Sequence, residues 1–276
     1  MENLTIYCHN ILADAWVNFS GDGGKAFYGD ELYHKGLLDA PMRHKLVFAK
    51  VVESEADIVC LQEVGLSECS AFWSSELPKL YHVTGLVENA VSSAREPNGT
   101  LVLLKRGVMH PEYHLLGVQL NGTTGASMVR CRRLEGFAPE VVVVNCHLDG
   151  GKQGIRQGQQ IMQLLEESQS SGAAVVWCGD FNKKPNDLFF EEVRQQGYKD
   201  AFDFREDLYS CALGQCRLDY VLFKGCINCV PNELKATKGS CLLGKFKDKE
   251  ELLREVGSDH APLMVAFSVS TRGSLP

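Results

Sequence analysis

The chain has 276 residues, 45% hydrophobic and 23% charged, which is enough for one large domain or two small ones with an ordinary globular core. A net charge of −7 argues against a broad basic surface for long duplex DNA, though not against a local basic lip beside a site. No apolar run approaches the roughly 18–20 residues of a membrane span, and the opening Met1-Glu2-Asn3-Leu4-Thr5 lacks the basic and apolar regions of a signal peptide.

Leu4 to Asn10 reads as a strand with a polar tip. Residues 11–40 read as a long loop rich in Gly, Asp and aromatics, a kind of stretch that is more often functional than idle. Asp39-Ala40-Pro41 signals a helix start, with Met42, Leu46, Ala49 and Val52 or Glu53 tracing one face. Asp57 to Glu63 is a second apolar run with a polar end, and a helix is expected over 67–77. Short strands are expected at 81–87, 100–106, 113–120 and 126–134, separated by Gly, Asn and Pro turns. Val141 to Leu148 is a third apolar strand, followed by a helix over 154–168 with Ile155, Met162 and Leu165 on one side. A strand at 173–182, a helix near 187–196, and strands at 217–223 and 261–269 complete the pattern. It predicts one α/β unit with two sheets packed face to face and helices outside.

The polar ends of these strands carry the chemistry. Val175-Val176-Trp177-Cys178 runs into Gly179-Asp180-Phe181-Asn182, and an acid and an amide two residues apart share one side of an extended chain. Alone, this is equally a strand followed by an Asp/Asn turn. However, Asn10, Gln62-Glu63, His147, Asp219 and Ser258-Asp259-His260 also follow or interrupt β-type runs. Strands of one core deliver their ends to a common face, so these groups are expected to converge.

The eleven cysteines are scattered, with Cys8, Cys60, Cys146 and Cys178 inside apolar strands. That usage predicts buried free thiols and an intracellular setting, cytoplasmic or nuclear. Cys211/Cys216 and Cys226/Cys229 offer a weaker zinc reading, because they flank the Arg217–Phe223 strand.

In chain order, Asn10, Leu61-Gln62-Glu63-Val64, Asn145-Cys146-His147-Leu148, Gly179-Asp180-Phe181-Asn182, Arg217-Leu218-Asp219-Tyr220-Val221 and Gly257-Ser258-Asp259-His260-Ala261-Pro262 span almost the whole sequence. Each piece is weak alone; together they are specific, and the set resembles the endonuclease/exonuclease/phosphatase superfamily. The resemblance implies a four-layer α/β sandwich, with two mostly antiparallel sheets face to face and helices outside, formed by residues 1–276 as a single domain. It also implies Mg²⁺-dependent hydrolysis of a phosphate ester, with Mn²⁺ as an alternative ion. Glu63 is then the direct metal ligand, since Mg²⁺ prefers carboxylate and water. Asn10, Gln62 and Asp259 would be secondary or water-mediated ligands. Asp180 would orient and deprotonate the attacking water, with Asn182 holding that water or a phosphate oxygen. His260 would face the scissile phosphate, oriented by Asp219, and His147 would donate to a phosphate oxygen. Lys183, Lys184 and Arg156 are the candidate phosphate-contacting cations. Arg156 and Gln159 or Gln160 also fit a helix that the family often places after the His-Leu strand.

Asn10-Ile11-Leu12-Ala13-Asp14, the aromatic loop and Arg43 look most like the deadenylase/nocturnin/2′-phosphodiesterase branch. That branch implies an exonuclease or phosphodiesterase acting on RNA or oligonucleotide ends. The aromatics of 16–33 either stack on a base, worth roughly 1–3 kcal/mol each, or pack the loop onto the domain. A DNA-repair endonuclease, a 5′-tyrosyl-DNA phosphodiesterase and an inositol or lipid phosphatase stay open as alternatives. A catalytically silent nucleic-acid-binding relative would be expected to lack Glu63, Asp180, Asp219 or His260; all four are present. Nothing in the sequence names protein partners.

Overall fold

Two parallel strand pairs, one in each of two sheets, organise the molecule. The computed structural model describes residues 3–18, 21–65, 77–89, 97–120, 124–135, 140–168, 173–230 and 246–269. β1 (Leu4–Asn10) runs parallel to β2 (Ile58–Gly65), in step from Ile6↔Ile58 to Asn10↔Gln62. The connection between them holds three short helices, α1 (Asp14–Val17), α2 (Lys25–Tyr28) and α3 (Asp30–His34), then the longer α4 (Ala40–Ser54). β3 (Tyr81–Val83) and β4 (Val87–Glu88) both pair with β5 (Asn98–Lys105), which lies antiparallel beside β2.

The second sheet starts with β6 (Met109–Gln119), β7 (Gly125–Arg133) and β8 (Val141–His147). From β8 the chain crosses through α5 (Gly151–Ser168) to β9 (Ala174–Asp180), again parallel. After α6 (Phe189–Gln195) and β10 (Lys199–Asp200), β11 (Asp219–Lys224) returns antiparallel to β9. β12 (Ile227–Cys229), α7 (Lys249–Val256) and β13 (Leu263–Val269) then rejoin the first sheet, with β13 antiparallel to β1. The orders are β12-β13-β1-β2-β5-β3, with β4 also on β5, and β10-β11-β9-β8-β7-β6. Each sheet thus centres on a parallel pair flanked by antiparallel strands.

Both central pairs are covered on both faces, which explains their continuous apolar runs. Ile6, Cys8, Ile58 and Cys60 meet Val143, Val176, Cys178 and Val221 between the sheets. Val142, Val144, Val175 and Trp177 face outward onto Ile161, Leu165 and Val193 of the second sheet's helices. Cys8, Cys60, Cys146 and Cys178 are buried free thiols in these layers. Two sheets with helices outside are therefore the α/β sandwich that the sequence predicts, and among the described residues no helix is long and apolar enough to cross a membrane.

Some elements differ from expectation. The stretch 11–40 holds α1 to α3, and the expected strand at 81–87 is split into β3 and β4. β10, β12 and α7 are additions; α7 has a local signal, Asp248 accepting the Glu251 amide at 3.0 Å as an N-cap. The buried face of α4 is Arg43, His44, Val47, Val51 and Ser54, while Met42 and Val52 are exposed. A polar pair displaces the apolar stripe because Arg43 and His44 both reach the buried Asp14 carboxylate. The helix expected over 67–77 lies almost wholly outside the described residues.

Candidate active site

The C-terminal ends of both parallel pairs open onto one cavity of about 480 Å³. Asn10 ends β1. Its amide nitrogen donates to Glu63 Oε1 at 2.9 Å and to Asp180 Oδ2 at 3.0 Å, so one carboxamide spans the acids of both sheets. Its oxygen accepts the Leu12 amide at 3.1 Å. Glu63 sits where the β2–β5 register shifts between Leu61 and Val64, with φ +58°. This bulge re-aims its carboxylate, as bulges do beside active sites. The second oxygen of Glu63 accepts the Ala13 amide at 2.8 Å.

Gln62 corrects the expectation of a secondary metal ligand. Its amide donates inward to Asn145 Oδ1 at 2.6 Å and to the Cys60 carbonyl at 3.2 Å, and the side chain is fully buried between the sheets. Asn145 in turn donates to the carbonyls of Leu61 and Leu101 at 2.8 and 3.0 Å. It therefore satisfies backbone at the bulge that displays Glu63, a role the sequence reading missed.

On the second sheet, β8 ends in His147 directly opposite Asp180 at the end of β9. Gly179 precedes that acid with φ +139°, and an added Cβ would lie 1.9 Å from the Cys146 carbonyl oxygen, so only glycine fits. Asp180 Oδ1 accepts the Asn182 amide at 2.8 Å. Asn182 donates its side chain to the Leu148 carbonyl at 2.8 Å, which ties the two loop ends together. Trp177 and Phe181 pack behind with tilted rings, centroids 5.0 Å apart, both fully buried. His147 Nε2 lies 3.9 Å from Glu63 and 3.8 Å from Asp180, and its buried Nδ1 has no hydrogen-bond partner among the described residues.

The antiparallel flanking strands deliver the remaining groups. Asp219 begins β11 opposite Asp180, and His260 precedes β13. Asp219 Oδ2 holds His260 Nδ1 at 2.8 Å, and His260 Nε2 points back to Asp180 at 3.9 Å. Ser210, absent from the sequence reading, donates to the same Asp219 oxygen at 2.6 Å and accepts the Leu218 and Asp219 amides at 3.0 Å each. Arg217 does not compete for Asp219; its guanidinium is buried in a two-pronged pair with Asp200 at 2.8 and 2.7 Å. Asp259 accepts the Tyr28 hydroxyl at 3.1 Å, which fastens the 11–40 segment to the site. Ser258 donates to the Asn10 carbonyl at 2.7 Å. His9 hydrogen-bonds the His260 carbonyl at 3.0 Å, and burial lowers its imidazole to about 3, so it is neutral. Arg43 reaches the Leu12 carbonyl at 2.8 Å and that of Gly257 at 3.2 Å, joining the first motif to the last.

Burial raises Glu63 above the usual carboxylate value, with His147 and the Asn10 and Ala13 N–H groups opposing. Asp180 is also raised, first by burial and then by the Asp219 charge. Burial pulls His260 down, but Asp219 and Cys211 outweigh it and hold the imidazole well above its ordinary value. Two groups, Glu63–His147–Asp180 and Asp180–Asp219–His260, each keep their donor atoms within 4.8 Å of one another. Two buried carboxylates lifted in this way are relieved by a positive charge between them. Their hard oxygen donors suit a small divalent cation.

The predicted basic contacts are not in the cavity. Lys183 is 2% exposed, and its ammonium is spent on the Asp149 carbonyl at 3.1 Å, corrected from a phosphate contact to a brace beneath α5. Lys184 and Arg156 are exposed and do not line the cavity. Gln157, not Gln159 or Gln160, is the buried glutamine of α5; it exchanges hydrogen bonds with Asp149 at 2.8 and 2.7 Å. Leu12, Trp16, Phe27, Tyr28 and Leu213 give the cavity an apolar wall beside the acids.

Residues 19–260 match the model of the Endonuclease/Exonuclease/phosphatase family. No curated protein matches the chain by sequence. Among solved structures, the human nocturnin catalytic domain with bound sulfate is similar at TM-score 0.69 and 17% identity, over 97% of this chain and 94% of that one. ANGEL2, described as a 2′,3′-cyclic phosphatase, is similar at TM-score 0.71 and 14% identity, over 96% and 95%. D. rerio TDP2 complexed with a single-strand DNA product is similar at TM-score 0.61 and 14% identity, over 98% and 100%.

Proposed function

The chain belongs to the endonuclease/exonuclease/phosphatase family, and from that premise we propose that it is a divalent-metal-dependent phosphodiesterase acting on the ends of RNA or short oligonucleotides. The observation that carries this reading is the convergence of Glu63, His147, Asp180, Asp219 and His260 at one cavity. Glu63 would hold Mg²⁺ or Mn²⁺, with Asp259 as a secondary ligand in the same cavity lining. When bound, the ion supplies charge neutralisation at the phosphoryl oxygens.

The protein's own groups divide the remaining work. Asp180 accepts a proton from the attacking water; its burial beside Asp219 makes it more basic than an exposed aspartate. Asn10 keeps Glu63 and Asp180 at a fixed spacing. His260, kept cationic by Asp219, and His147 on the other side stabilise charge on the phosphate oxygens. Asn182 locks the Asp180 loop. The apolar wall, the acidic net charge and a lining without lysine or arginine among the described residues favour a short, unpaired end over a long duplex.

Purified protein is assayed on bis-p-nitrophenyl phosphate and 5′-labelled RNA with Mg²⁺ or with EDTA. Activity that vanishes in EDTA is the expected result; equal activity in both overturns the reading. Substrate choice is read from poly(A), 2′,5′-oligoadenylate, abasic duplex DNA and a 5′-tyrosyl oligonucleotide in one buffer. Faster cleavage of either DNA than of both RNAs would rule out the RNA-end assignment.

A further inference from the structure

Two cysteines adjoin this site; Cys211 lies against His260, and neither thiol has been given a step in the hydrolysis above. Cys211 and Cys216 close a tight turn, where the Cys211 amide donates to the Cys216 carbonyl at 2.9 Å and the Cys216 amide returns to the Cys211 carbonyl at 3.3 Å. That pairing sets Cα atoms about 5.5 Å apart, inside the roughly 4.4–6.8 Å that a disulfide spans. Both thiols lie against one atom: the Leu213 carbonyl oxygen is 3.6 Å from Cys211 Sγ and 3.8 Å from Cys216 Sγ. Cys211 is buried and Cys216 is partly open.

The turn is laced to the catalytic cluster. Cys211 also bridges to His260. The neighbouring Ala212 amide donates to the Asp259 carbonyl at 2.9 Å, and Ser210 accepts the Ala261 amide at 2.6 Å while holding Asp219. Leu213, at the turn's crest, is part of the apolar wall.

We propose that Cys211 and Cys216 form a reversible dithiol/disulfide site for peroxide, and that its closure lowers the activity of the adjoining cluster. One thiol sulfur attacks hydrogen peroxide, giving a sulfenic acid and releasing water. The second thiol displaces water from that sulfur, forming the S–S bond. Two thiols lose two electrons and two protons in all, and one peroxide becomes two waters. A bond of about 2.05 Å replaces two unbonded thiols. The contraction falls on the turn that holds Asp219, His260 and Leu213 in place.

The activity readout rests on the phosphodiesterase reading; the crosslink does not. The full chain is treated with hydrogen peroxide, alkylated and digested, and its disulfides are mapped by mass spectrometry. Bis-p-nitrophenyl phosphate hydrolysis is followed before treatment, after it, and after dithiothreitol. The expected result is a Cys211–Cys216 crosslink with a loss of roughly tenfold or more, restored by the reductant. Cys216→Ser should match the reduced wild type and resist that loss. A map in which these two cysteines stay unlinked, or pair elsewhere, overturns the site. A crosslink without change in rate, or equal loss in Cys216→Ser, overturns its control of activity. If the reduced protein hydrolyses no phosphodiester, the functional reading fails while the map still decides the thiol pair.

Discussion

The pairs β1–β2 and β8–β9 share one plan, parallel strands joined through a helix and flanked by antiparallel neighbours, yet they present their acids by opposite devices. On the first sheet, Glu63 leaves the strand through a bulge and a left-handed backbone, and a carboxamide from the other sheet satisfies the carbonyl beside it. On the second, Asp180 stays in register with His147 and is admitted by a glycine that no other residue can replace. The first device depends on distant polar partners, the second on local backbone. Damage to the two should therefore have different signatures.

The sharpest break is Asp180→Asn, which keeps the shape and removes the base; kcat should fall by about 10²–10⁴-fold with the fold intact by circular dichroism. Glu63→Gln is the matched change on the first sheet, and its defect should be partly recovered by raising Mg²⁺ in a titration. Arg43→Met should act on the first device alone. It takes the guanidinium from the buried Asp14 carboxylate, leaving His44 beside it, and frees the Leu12 carbonyl, at a cost of about 3–5 kcal/mol in urea unfolding. Asn145→Leu removes the extra hydrogen bonds on the Leu61 and Leu101 carbonyls and the acceptor of the buried Gln62 amide, and should cost about 1–3 kcal/mol while lowering activity through Glu63. A Leu variant as stable as wild type would remove the contrast drawn here.

The smallest expected effect is on the second sheet's pH dependence. Asp219 holds His260 above its ordinary value, so the cation persists to higher pH; both its stabilising contribution and the activity it carries fade as pH rises through that raised value. Asp219→Asn removes the main raising influence. The alkaline limb of the kcat/KM profile should then move to lower pH, and an unmoved limb would dissociate the pair from catalysis.

The sequence displays the polar strand tips clearly, because a two-sided buried strand is apolar until it leaves the core. It does not display direction. Counting by twos cannot tell Gln62 from Glu63, since a bulge decides which one faces the cavity. Lys183 follows Asn182 directly, but the turn folds its ammonium back onto Asp149. Arg43 and His44 interrupt the apolar period of α4 because their partner, Asp14, lies in an irregular segment. Ser210 and Tyr28 carry no local signal; each acquires its partner through tertiary contact.

The pairing of β1 with β13 has a consequence for how the molecule assembles. Residues 4–8 take their partners from 263–267, and Asn10 and His9 take theirs from Ser258 and His260. Contacts this distant along the chain form late and slowly. During synthesis, β1 emerges well before β13 and must wait with one edge open while residues 11–262 are made, a template for misplaced strand addition. Closure by β13 both covers that edge and brings in His260. The arrival of β13 thus ends the exposure and completes the catalytic cluster in one step, so chains that stop short of it should be sticky and inert together.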